Sequence, residues 1–192
     1  MSERLDMNEE LKIHEEHKQK APKKINIALI VVSTSRFNEI KSNKESSDKT
    51  IPKVKLLLKK DPSIKLVYSE IIPDSIKNIN DVLIKVMKDE TVDSIIFSGG
   101  TGLSPKDITY EIIEPLLKKK IEGFGEIFRH LSFNEIGSSA MLSRATAGIL
   151  ESKNKNKTIF LLPGSPNAVI LALKNIIIPE LGHIQYLINK EE

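Results

Sequence analysis

Cysteine and tryptophan are both absent from the 192 residues. Without cysteine there is no disulfide, no thiolate nucleophile and no thiolate-bound zinc, so cysteine-based hydrolases and zinc-ribbon modules are excluded. Aromatic residues make up only 5% of the chain, which argues against rows of base-stacking platforms. Arginine is nearly missing, occurring only as Arg4, Arg36, Arg129 and Arg144 in a lysine-rich chain. A net charge of +3 is too small to point to nucleic acid. No Gly-x-Ser-x-Gly elbow with a partner base is present, so a serine triad is poorly supported. The N-terminus lacks a signal-peptide apolar core, and no apolar stretch is expected to approach the ~20 residues that span a bilayer. These absences leave a cytoplasmic enzyme as the default expectation, with no membrane or nucleic-acid partner.

What is present is ordinary for one folded domain: 40% hydrophobic and 29% charged residues, in a length that buries a single core well. Residues 1–24 form a charged N-terminal arm, with His14 and His17 three apart but no third ligand beside them, and residues 25–192 form the body. In the body, apolar β-branched runs alternate with helix-spaced segments. Strands are expected over 25–32, 66–72, 93–97, 145–150 and 158–162. Helices are expected over 48–60, 75–88, 108–117, part of 121–142, and 165–189 with interruptions at Pro179 and Gly182. Residues 33–47 read as a loop. The alternation predicts a doubly wound α/β fold, a mostly parallel sheet with helices on both faces. Ligands of such sheets sit beyond the C-terminal strand ends.

The loop after the third strand carries the strongest chemical signal. Ser98-Gly99-Gly100-Thr101-Gly102 follows a buried run and precedes Ser104-Pro105-Lys106-Asp107, which has the look of a capped helix start. Three glycines remove Cβ atoms where amides can approach an anion, and a following helix would aim its positive end there. The pattern is neither the dinucleotide fingerprint nor the P-loop. Asp74 follows the second strand and Asp107 lies just beyond the glycines. Each alone is explained as a turn or cap residue. Together, beside a phosphate loop, they suggest Mg²⁺ held by two carboxylates and phosphate oxygens. Pro163-Gly164-Ser165-Pro166 is a second strand-to-helix turn of the same kind. Arg36 and Arg144 stand out as fork donors suited to an anion or a subunit interface. Gly123-Phe124-Gly125-Glu126 reads as a hinge, with Glu126 reaching the site or facing water.

Several short motifs in one order resemble the MoaB/MogA family of molybdenum-cofactor biosynthesis proteins, its MoaB branch in particular. They are Val31-Val32-Ser33-Thr34-Ser35-Arg36, Ile72-Pro73-Asp74, Ser98 to Gly102, Asp107-Ile108-Thr109, Gly123 to Glu126, Ser143-Arg144-Ala145 and Leu162 to Pro166. The resemblance implies the molybdopterin-binding fold, assembled as trimers or hexamers. It implies transfer of AMP from Mg-ATP to the terminal phosphate of molybdopterin. Asp74 and Asp107 match the family's two essential acids, implied to be catalytic and to hold Mg²⁺. Ser33, Ser98, Gly99, Gly100, Thr101, Gly102, Gly164 and Ser165 are implied to bind phosphate of nucleotide or pterin, with Arg36, Glu126, Arg144 and Pro166 in support. One departure stands out: many relatives carry Asp-x-Ser-Gly where this chain has Asp48-Lys49-Thr50-Ile51, and Ile51 cannot copy an open glycine backbone cheaply. The alternatives are a non-catalytic pterin-binding or scaffolding paralogue and a nucleotide pyrophosphatase of the CinA type.

Overall fold

The computed structural model describes residues 20–190. The N-terminal arm, with its two histidines, lies almost wholly outside them. Six strands form one sheet in the order β2-β1-β3-β6-β5-β4. They are β1 (Ile25–Val32), β2 (Ile64–Ile72), β3 (Ser94–Ser98), β4 (Lys119–Lys120), β5 (Thr146–Leu150) and β6 (Lys157–Leu162). The pairs β1–β2, β1–β3 and β3–β6 are parallel, while β5 runs antiparallel to β6 and β4 to β5.

β1 is central because almost nothing in Ile25-Asn26-Ile27-Ala28-Leu29-Ile30-Val31-Val32 tolerates water. Its side chains alternate between two cores. Ile27, Leu29 and Val31 join Phe124, Phe128, Leu173 and Leu181 on one side. Ala28, Ile30 and Val32 join Ile79, Leu83, Phe97 and Ile113 on the other. Helices therefore cover both faces. The first core takes α2 (Thr50–Leu58), α5 (Glu122–Ile136), α6 (Pro166–Ala172) and α7 (Ile178–Ile188). The second takes α3 (Ile76–Lys88) and the short α4 (Thr109–Ile113).

Four local expectations are corrected. Residues 33–47 are not all loop: α1 (Thr34–Lys41) forms there without burying a single side chain, so it has no apolar stripe to read. The helix expected over 108–117 is α-helical for five residues only and tightens to a 3₁₀ turn over Glu114–Leu116, where Pro115 denies the ladder a donor. The break expected at Pro179 does not occur. A π turn over Leu173–Ile177 joins α6 to α7, widening the helix where the proline ring would meet the Asn175 carbonyl. The resulting helical run, Pro166–Ile188, has 23 residues and an 18-residue window of mean hydropathy 1.2, so by length and composition it could cross a membrane. That overturns the expectation of no such stretch. In this fold the run buries Val169, Ala172, Leu173, Ile177 and Leu181 against the sheet.

Candidate active site at the switch in strand order

The strand order reverses between β1 and β3, and the loops leaving their C-terminal ends part there to open a crevice. A cavity of about 620 Å³ occupies it. Its walls bring together residues far apart in sequence: Ser33 and Arg36 after β1, Asp74 after β2, Gly99 to Gly102 and Asp107 after β3, and Gly164 after β6. The carboxylates at 74 and 107 thus share one cavity with the glycine loop.

The glycines are needed for different reasons. Gly99 and Gly100 adopt φ values of +111° and +66°, conformations that favour glycine. A Cβ on Gly99 would also stand 2.2 Å from the Val32 carbonyl oxygen. Gly164 packs against Gly99, its Cβ position 3.4 Å from the Gly99 Cα, so the two phosphate-loop candidates are in contact. The Gly99 amide is spent on the Leu162 carbonyl at 3.0 Å. The amides of Gly100, Thr101 and Gly102 donate to no acceptor among the described residues.

The helix end that faces the cavity is not the expected one. The amides of Thr109 and Tyr110, first in α4, both donate to the Gly100 carbonyl, at 2.9 and 3.4 Å. Ser104 and Asp107 do bond reciprocally: the Asp107 amide donates to the Ser104 carbonyl at 2.9 Å, and the Ser104 amide to Asp107 Oδ2 at 3.2 Å. They close a turn, and α4 starts later. The open N-terminus belongs to α1, capped in position by Ser33. Its first intrahelical bond runs from the Phe37 amide to the Ser33 carbonyl, leaving the amides of Thr34, Ser35 and Arg36 ahead of it. Ser33, Thr34, Ser35 and Arg36 all line the cavity. Thr34 and Ser35 are additions that sequence reasoning missed as site residues. Their signal was faint: a serine placed like an N-cap directly after a buried strand.

Asp74 sits under electrostatic pressure. Burial above all, then the charge of Asp107 and more weakly that of Glu111, push its carboxyl above the ordinary range, while the Ile108 amide pulls it back. Its Oδ1 is buried without a hydrogen-bond partner, as is Thr109 Oγ1. Both residues abut Gly100, whose Cβ position lies 2.1 Å from Thr109 Oγ1 and 3.1 Å from Asp74 Oδ2. A crowded, under-bonded carboxylate beside a second one is a suitable donor pair for a divalent cation. No group of three or more acidic or histidine side chains is placed to hold a metal ion among the described residues. The donor set therefore fits Mg²⁺ only in its usual manner, with one or two carboxylates and the rest from phosphate and water.

The other predicted residues divide. Arg36 lines the cavity and is steadied by Asp48 at 3.4 Å. Lys106, Ser139 and Ser143 also line it and were not singled out as site residues. Ser98 is fully buried below the loop, its hydroxyl donating to the Pro163 carbonyl at 3.1 Å. Ser165 and Pro166 begin α6. Ser165 lines an adjoining cavity of about 180 Å³ that shares Ile136, Ser143 and Pro163 with the main one. Glu126 is exposed on α5 and lines neither cavity. Arg144 does not face the main cavity: its donors are engaged by Glu111 and by three backbone carbonyls.

The departure at Ile51 leaves the backbone ordinary. Asn43 is the only non-glycine residue with positive φ among those described. Asp48 accepts from the amides of Thr50 at 3.1 Å and Ile51 at 2.9 Å, and Ile51 packs on the first core.

Comparison with known proteins identifies the family and the fold. Residues 28–183 match the family described as a probable molybdopterin binding domain. The chain is 38% identical to the molybdenum cofactor biosynthesis protein B of Bacillus cereus, over 92% of this chain and 98% of that one. It is 44% identical to a probable molybdopterin adenylyltransferase of Methanocaldococcus jannaschii, over 84% of this chain and 93% of that one. The fold superposes on the tungsten cofactor synthesizing protein MoaB of Pyrococcus furiosus with a TM-score of 0.76 and 35% identity, covering 88% of this chain and all of that one. By motif order, by fold and by identity across nearly its whole length, the chain belongs to the MoaB/MogA family of molybdenum-cofactor biosynthesis proteins, in the MoaB branch.

Proposed function

We propose that this protein is a molybdopterin adenylyltransferase of molybdenum or tungsten cofactor biosynthesis. A terminal phosphate oxygen of molybdopterin attacks the α-phosphorus of ATP. The new P–O bond forms as the bond to the β-phosphate oxygen breaks, giving adenylylated molybdopterin and pyrophosphate. One observation carries the reading: two carboxylates and a set of unengaged amides meet in one cavity at the switch point. The identity to a relative named for this activity supports it.

Each residue then has a defined task. The amides of Gly100, Thr101 and Gly102, with those opening α1, hold phosphate oxygens. Arg36 and Lys106 add positive charge at the wall. Asp107 and Asp74 hold Mg²⁺, which when bound neutralises charge on the polyphosphate. The small cavity lined by Ser165 accepts part of the second substrate. The acceleration comes from orientation and from fixed dipoles aimed at developing charge, with no covalent intermediate on the protein.

We further propose that the protein works as a cytoplasmic homo-oligomer, trimer or hexamer. Ile136 and Leu142, at the cavity, are 59% and 53% exposed, and nearby Met141 is 76% exposed. Exposed apolar side chains gathered this closely mark an association surface. Purified protein incubated with molybdopterin, ATP and Mg²⁺ should yield adenylylated pterin by mass. Asp107→Ala should stay folded, because a lost turn-closing acid costs only ~1 kcal/mol, and should lose the product. Unchanged product formation by that variant would remove the carboxylate from the reaction.

A further inference from the structure

Arg144 stands just behind the phosphate loop, with its charge turned toward protein rather than toward the cavity. Its Nε donates to the Thr101 carbonyl at 3.0 Å. Its Nη2 donates to the Gly102 carbonyl at 2.6 Å and to the Asp107 carbonyl at 3.3 Å. Glu111, in the first turn of α4, grips the far side of the same guanidinium through both carboxylate oxygens. The Tyr110 ring lies 4.9 Å beneath it. A guanidinium has five N–H donors in a rigid plane. Here they bond main-chain oxygens on both sides of the loop and one carboxylate.

The consequence lies in peptide geometry. A peptide carbonyl and the amide joined to it point in opposite directions across one plane. Holding the Thr101 carbonyl back fixes the Gly102 amide, and holding the Gly102 carbonyl back fixes the Leu103 amide. The Gly102 amide is among those with no acceptor among the described residues. Beyond Gly100, whose carbonyl the Thr109 and Tyr110 amides already hold, the loop offers little resistance to rotation: Gly102 supplies almost no steric restraint, and a turn rather than a long helix follows it. The same guanidinium also ties down the main chain of Asp107.

We propose that Arg144 is a positioning residue which, clamped by Glu111, holds the Thr101–Gly102 peptides and the Asp107 backbone in one rigid unit, so that the loop amides and the carboxylate keep a fixed separation. This rests on the adenylyl-transfer reading only for its effect on turnover. The rigidity itself stands independently of what the site transforms. The three carbonyls are served by a planar fork, so geometry as well as charge is required, and lysine cannot replace it. Glu111 acts through Arg144 and not on substrate.

The test compares full-length wild type, Arg144→Lys, Arg144→Met and Glu111→Gln. Amide order parameters of Gly102 and Leu103 are measured by nuclear magnetic resonance, with Gly100, whose peptide Arg144 does not touch, as an internal control, and AMP transfer to molybdopterin is measured per folded molecule. Wild-type order parameters should lie near 0.85, and both Arg144 variants should fall below about 0.6 at Gly102 and Leu103, with Gly100 and the core strands unchanged. Transfer by Arg144→Lys should fall about 100-fold in kcat, the scale of a misplaced catalytic frame. Glu111→Gln should move both readouts in the same direction by less. Wild-type order parameters in Arg144→Lys overturn the proposal, and so does wild-type kcat in that variant, because charge alone would then suffice. A wild-type protein that transfers no AMP but shows the loss of order in the variants refutes the adenylyltransferase reading and supports the brace.

Discussion

The glycines around the cavity separate folding from function, and Gly99→Ala probes folding most sharply. Alanine at φ +111° costs about 1–3 kcal/mol in backbone strain. The new methyl would stand 2.2 Å from the Val32 carbonyl oxygen, whereas unstrained heavy atoms keep roughly 3.5 Å. Neither side yields cheaply. Val32 ends the central strand and is in register with Ile72. Gly99 follows a strand paired to β1 and β6 and is itself bonded to Leu162. Strain and overpacking together come to about 3–5 kcal/mol. For a chain of this size that lowers the melting temperature by about 6–20 °C. Gly102→Ala should behave differently. Its φ is not positive, and its methyl would stand 2.8 Å from Asp107 Oδ2, the end of a side chain that can swing. Folding should lose less than about 1 kcal/mol, while displacement of the carboxylate lowers transfer about 100-fold. Gly164→Ala, whose methyl makes an ordinary 3.4 Å contact, should leave the melting temperature within about 2 °C. The assay is thermal unfolding by circular dichroism alongside AMP transfer. A Gly99→Ala protein melting within about 2 °C of wild type would refute the reasoning.

Asp74→Asn should abolish transfer yet raise the melting temperature of the metal-free protein, because a charge disfavoured by burial and by the neighbouring charges of Asp107 and Glu111 is removed. The same carboxyl sets a pH dependence. Its folded pKa lies above the unfolded 3.8, so its contribution to stability is complete below 3.8 and is lost as pH rises through the folded value. Urea titrations of metal-free wild type should show that loss, and Asp74→Asn should not. Mg-ATP affinity should run the opposite way, weakening on acidification through that same window, as calorimetry would show. Lys157→Met should destabilise by about 1–3 kcal/mol in urea without changing transfer per folded molecule. The buried ammonium donates to the Val86 and Asp89 carbonyls at 2.8 and 2.5 Å, closing the end of α3 at the opposite pole of β6 from the cavity.

The legible parts of this molecule are those that bury hydrocarbon. The unbroken apolar run of β1 and the stripe of Ile79, Val82, Leu83 and Val86 on α3 have few alternative structures. The strand ends and the chemistry placed on them followed from these, so Asp74, Asp107 and the glycine loop were visible as candidates. The helix α1 was not, since it buries nothing and its N-terminus matters only through backbone amides. The capping signature of Ser104 and Asp107 was read as a helix start, and the bonds it predicts are present. They close a turn because Gly100 takes the amides that open α4. Arg144 shows the same limit: a lone arginine among small residues announces that a fork is needed, but only the fold reveals that it grips carbonyls and not an anion.

In the proposed reaction the carboxylates at 74 and 107 and the amides near residue 100 hold a triphosphate for attack at its α-phosphorus. Labelled ATP tests it directly. With the label at the α-phosphate, the account predicts that radioactivity appears in the pterin product, and that with the label at the γ-phosphate it appears only in pyrophosphate. A pterin product that carries the γ-label, or no transfer of either label by folded wild-type protein supplied with Mg²⁺, would contradict it.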